Sequence, residues 1–109
     1  MAEVGTKKVF ENDKTIVWEL FLEPGERIER HTHRHGYMFY VTAGSALELF
    51  DADDNYVTTI ELHTGQTVAY RLEDDQLYPM EQAGPPAPAT HSARNAGSAS
   101  YREILVEWK

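Results

Sequence analysis

The sequence predicts an all-β domain, an antiparallel sandwich or barrel. Apolar and polar residues alternate through several short runs, with turn residues every eight to twelve positions or so. No ten-residue stretch carries the apolar period of an amphipathic helix. The length, 109 residues, suits one domain that buries a core without disulfides.

The elements follow in order. TIVWELFLE (15–23) sets Ile16, Trp18, Leu20 and Leu22 on one face and Glu19 and Glu23 near the other, a strand with one buried face. EPGE (23–26) is a turn. RIERHTHRH (27–35) and YMFYVTA (37–43) are strands, the second stopping at Gly44. ALELF (46–50) alternates again, and DADDN (51–55) is a hairpin turn. That turn is not an EF-hand loop, because the sixth-position glycine is missing and the twelfth position is Leu62. YVTTIEL (56–62), QTVAYRL (66–72) and SYREILVEW (100–108) complete seven or eight strands. Trp18, Tyr70, Ile104, Val106 and Trp108 are assigned to the core or an interface. EDDQLYPMEQAGPPAPAT (73–90) breaks the rhythm with four of the five prolines. Proline lacks a backbone donor, so no central strand is expected there, and the segment reads as a lid or a solvated loop. Residues 1–109 form a single domain on this reading.

Eighteen acidic against ten basic side chains give a net charge of −8. Nucleic acid and anionic membranes are therefore not expected partners, since both are bound through basic patches. No run approaches the ~20 apolar residues of a membrane span. The N-terminal MAEVGTKKVFENDK has no apolar stretch of signal-peptide length, so a cytoplasmic protein is expected. The absence of cysteine excludes disulfides and thiolate metal sites.

Three of the five histidines stand in HTHRH, at His31, His33 and His35. On a strand, residues two apart share a face roughly 6.5–7 Å from each other. His31 and His33 can then converge on one ion, and His35 joins their face if the strand runs straight. Two ligands from one strand make a weak site, so a third must come from His91 or His63. His63 lies beside a Thr-Gly turn and reads as a solvated surface residue.

Gly25, His31, His33 and Gly44 lie at the spacings of the first sequence motif of the cupin family, and Pro86, His91 and Asn95 at those of the second. The chain resembles a small single-domain cupin from about Trp18 to Trp108. The resemblance implies a double-stranded β-helix, or jelly-roll barrel, with a metal in its mouth. It implies His31, His33 and His91 as ligands and Asn95 as a structural residue in a hairpin-type connection, NAGS. Three positions depart from the pattern. Tyr37 stands where the family has its glutamate ligand, and Pro88 and Met80 replace two glycines. Water, His35 or a Tyr37 phenolate are the candidates for the missing carboxylate. An imidazole set suits a divalent transition metal such as Zn, Ni, Fe, Cu or Mn, and suits Mg and Ca poorly.

The expected function is a metal-dependent enzyme of the dioxygenase, isomerase or lyase type acting on a small polar molecule. Tyr37 and His35 are its candidate acid/base residues. The rival readings are a non-catalytic binding or sensor cupin and a metal-free structural one. A homodimer through edge strands is also expected.

Overall fold

The structure, a computed structural model, describes residues 3–109. They form eleven strands and no helix: β1 Lys7–Glu11, β2 Thr15–Leu22, β3 Arg27–Thr32, β4 Gly36–Ala43, β5 Ser45–Phe50, β6 Tyr56–Leu62, β7 Thr67–Glu73, β8 Gln76–Pro79, β9 Ala87–Pro88, β10 Thr90–Asn95 and β11 Tyr101–Trp108. Every strand pairing is antiparallel. Seven strands make one sheet, in the order β1-β2-β11-β4-β7-β8-β9. Four make the other, in the order β3-β10-β5-β6. No helix among the described residues is long and apolar enough to cross a membrane.

The sheets close on a core filled by their inward residues. β2 supplies Ile16, Trp18, Leu20 and Leu22 in strict alternation, as its sequence dictates. Ile28, Leu47, Leu49, Leu62 and Ala93 face them from the smaller sheet.

The last strand reverses the expected face. Ile104, Val106 and Trp108 are half-buried or exposed, while Tyr101, Glu103, Leu105 and Glu107 are buried. Trp18 is in the core, and Tyr70 packs partly buried against it. Register explains the reversal. β11 pairs along its whole length with β2, placing Leu105 opposite Trp18, Glu103 opposite Leu20 and Glu107 opposite Ile16. Directly opposed residues share a face, so an inward Trp18 forces the glutamates inward.

Turn chemistry fixes the corners. Gly25 holds φ +84° in the turn before β3, a left-handed conformation that costs glycine nothing. A Cβ on Gly44 would lie 2.4 Å from the Leu62 carbonyl oxygen, so only glycine fits between β4 and β5. In DADDN, Asp51 Oδ1 accepts the N–H groups of Asp53 and Asn55, both at 2.9 Å. The NAGS segment is not a hairpin, because β10 and β11 lie in different sheets and it carries the chain from one to the other. The fully buried Asn95 anchors that crossing. Its amide donates to the carbonyls of Leu22 (2.9 Å) and Ala99 (2.8 Å) and accepts from Ser45 Oγ (2.8 Å).

The proline-rich segment is tied down at both ends. Asp74 and Asp75 take φ +50° and +63°, the pattern of a two-residue type I′ hairpin between β7 and β8. Leu77 is fully buried, and the Gln82 amide holds both backbone groups of Ala69. Pro88 lies in the edge strand β9, Pro79 is the last residue of β8, and Pro85 and Pro86 lie between the two strands.

Candidate metal centre

β3 and β10 are neighbours, and their register sets His91 directly opposite His31. His31 is inward by pleat. His33, just past the end of β3, stays on that face because its N–H donates to the Ala89 carbonyl at 2.9 Å. The proline-rich segment thus delivers the backbone that seats His33. All three histidines are at most 7 % exposed, and one ring nitrogen from each lies within 4.8 Å of the others.

Their hydrogen bonds select the nitrogens. His31 Nδ1 donates to the Glu29 carbonyl at 2.8 Å, and His91 Nδ1 donates to the Pro88 carbonyl at 2.7 Å. In both rings the proton is held at Nδ1, leaving the Nε2 lone pair for the cluster. His33 Nε2 and His91 Nε2 are 3.2 Å apart. Two nitrogens bound tetrahedrally at ~2.0–2.1 Å from one ion would sit about 3.3 Å apart, so this pair is already at chelating distance. His33 Nδ1 is buried with no partner among the described residues. An orphaned nitrogen of this kind costs about 1–3 kcal/mol.

Burial keeps the three rings neutral at pH 7. It lowers His31 below the ordinary 6.5, an effect opposed by the Glu29 carbonyl. It lowers His33 well below 6.5, aided by His91 and His31, and brings His91 to about 4, aided by His31. Neutral imidazole is the form that ligates a metal.

Tyr37 stacks on His33 with ring centroids 4.3 Å apart and planes at 16°. Its burial pushes the phenol well above 10, so it stays protonated at neutral pH and a phenolate ligand is disfavoured. His35 lies in a bend between β3 and β4, half-buried and outside the three-histidine cluster. The strand does not run on to it, so the pleat no longer places it beside His33. His63 is exposed in its turn.

A cavity of about 80 Å³ opens at the histidines. Tyr37, Phe39 and Tyr70 line it with Leu20, Leu49 and Leu105, while Tyr40 faces solvent. Glu103 also lines it, buried at 3 % exposure, and takes a 2.6 Å hydrogen bond from Tyr101 Oη. Burial raises its carboxyl to about 7, against the lowering effect of Tyr101. Sequence reasoning missed Glu103 because β11 was read with the opposite face inside. The signal was the odd-position alternation of Tyr101, Leu105 and their glutamates, which shows only once β11 is registered on Trp18.

No family model and no curated protein matches the chain by sequence. Solved structures do match in fold. A cupin domain from Bordetella pertussis Tohama I superposes with a TM-score of 0.66 at 18% identity, covering 98% of each chain. A cupin 2 conserved barrel domain protein from Salinispora arenicola gives 0.58 at 14% identity, over 94% of this chain and 73% of that one. An RmlC-like cupin family protein with a double-stranded β-helix fold, from Methanocaldococcus jannaschii, gives 0.57 at 12% identity, over 94% and 76%. With its two closed antiparallel sheets and these neighbours, the chain has the double-stranded β-helix fold of cupin domains.

Proposed function

We propose that the protein holds one divalent transition metal through His31, His33 and His91 and presents it to a small molecule in the barrel cavity. One observation carries the reading: three buried, neutral imidazoles converge with no carboxylate among them. Such a cluster has little to gain by itself, since it buries three polar rings whose only hydrogen bond to one another is the 3.2 Å His33–His91 pair. A metal would supply Lewis-acid polarisation of a bound oxygen, or redox chemistry if it is iron. With three protein ligands, coordination positions remain for water or substrate.

The chain's own residues do the rest. The Glu29 and Pro88 carbonyls hold two rings in the ligating tautomer. Tyr37 fixes the plane of His33 by stacking. The leucine-rich lining keeps bulk water out and favours a molecule with an apolar body, which narrows the small polar substrate expected from the sequence. Dioxygenase, isomerase and lyase chemistry all suit such a site, and a non-catalytic binding module is the rival reading.

Elemental analysis of tag-free protein beside His91→Ala tests the proposal. We expect close to one transition metal per chain, lost in the variant. Metal unaffected by losing His91, or no uptake from several divalent ions, overturns it.

A further inference from the structure

We propose that Glu103 is a ligand-binding residue: its carboxyl group receives the hydroxyl or amine donor of a small molecule whose other end sits at the three histidines. This rests on the metal reading above.

Position is the first argument. The histidines belong to the β3–β10 side and Glu103 to β11 in the other sheet, yet all four line one cavity. A molecule held at both ends would bridge the two walls. The lining between them is apolar, including Leu20, Leu49 and Leu105, so the middle of that molecule is a short hydrocarbon.

The second argument is the cost of the residue. Glu103 stands opposite Leu20 on β2 and Val41 on β4, inside the core. A buried carboxyl group is expensive there, and an aliphatic residue would pack at no such cost. A sequence that breaks the local rule marks a position kept for something other than stability.

Glu107 on the same face supplies the contrast. Its Oε1 accepts the Trp18 indole N–H at 2.7 Å, and it does not line the cavity. It is explained as a structural acceptor. Each of the two carboxyl groups takes one side-chain hydrogen bond, and what sets Glu103 apart is that it opens on the cavity. Tyr101 Oη donates to Oε1 at 2.6 Å, the one side-chain hydrogen bond this carboxyl group takes among the described residues. The second oxygen, Oε2, therefore has acceptor capacity for a ligand. With its carboxyl raised to about 7, Glu103 can also carry a proton near neutral pH.

Short carboxylates probe the pair of anchors. Propionate, butyrate and valerate place a carboxylate on the metal, and their ω-hydroxy counterparts add a donor at the far end. Binding is read from the visible spectrum of the cobalt(II)-loaded protein. We expect at least one hydroxy acid to bind about tenfold more tightly than its parent, as a site with a buried acceptor discriminates. In Glu103→Leu the preference should fall to within about twofold, with cobalt content unchanged. The double variant Tyr101→Phe/Glu103→Leu removes donor and acceptor together, which spares the fold from an orphaned hydroxyl, and should behave alike. No hydroxyl preference in cobalt-loaded natural protein, or a preference that survives either variant, overturns the assignment of Glu103 alone. Failure of the natural protein to take up cobalt overturns the metal reading and this one with it.

Discussion

On the four-stranded wall of the barrel, three imidazoles face one another, and the chain supplies backbone carbonyls to the outer nitrogens of His31 and His91 but no acid to the inner ones. On the seven-stranded wall, two carboxyl groups face inward, and each is met by a donor from its own sheet. The first arrangement leaves the inner nitrogens facing one another, the site at which we propose a metal. The second is satisfied in part: Glu107 accepts the Trp18 indole away from the cavity, while Glu103 takes one hydrogen bond and still opens on it. Buried polar groups are therefore not equivalent as signs of function: what counts is which of their hydrogen-bonding positions the fold itself fills.

Removing a member from each wall separates them. The largest effect is expected at the histidines. His91→Ala should weaken metal binding by more than about 100-fold, since losing a ligand exceeds the ~10–100-fold cost of losing its supporting partner. His35→Ala should leave metal content unchanged, because His35 lies outside the cluster. Competition against a chelator of known affinity measures both.

Next comes the face of β11. Leu105→Ala empties a core position and should cost about 2–5 kcal/mol in urea unfolding. Ile104→Ala, on the half-buried outer face, should cost about 1 kcal/mol or less. Equal costs would contradict the register with β2.

Glu107→Ala should cost about 1–3 kcal/mol, because the buried Trp18 N–H loses its acceptor. A neutral result would mean that the indole finds water instead.

The smallest effect is in the pH dependence of metal-free stability. The histidines are depressed when folded, so their contribution is intact above about 6.5 and is lost as pH falls towards about 4. Glu103 is raised from 4.5 to about 7, so its contribution is fully present below about 4.5 and is lost as pH rises through about 7. The two trends oppose each other between about 4.5 and 6.5. Glu103→Leu should unmask the histidine trend, and thermal melts of metal-free protein across that window should then fall more steeply on acidification.

The two walls also differ in how much the sequence revealed. His31, His33 and His91 were legible because glycine, proline and asparagine at fixed spacings frame them, and Gly25, Gly44 and Asn95 each prove to have a local steric or hydrogen-bonding reason. β2 was legible because its alternation is unbroken. β11 was misread because both of its faces carry large apolar residues, and hydrophobicity alone favoured Ile104 and Val106. Only pairing to Trp18 decides between the faces, and pairing is a long-range fact. His35 was overreached because periodicity was extended past Thr32, where the strand ends. β1 and the short strands β8 and β9 were missed, the last two hidden by their prolines, Pro79 at the end of β8 and Pro88 in the edge strand β9.

X-ray absorption of the metal-loaded protein tests the central claim most directly. The structure leads us to expect three imidazole scatterers at about 2.0–2.1 Å, with any remaining ligands from solvent. The imidazole count should fall to two or fewer in His91→Ala. Fewer than three imidazoles in the natural protein, or a spectrum unchanged by losing His91, would contradict a centre built from β3 and β10 together.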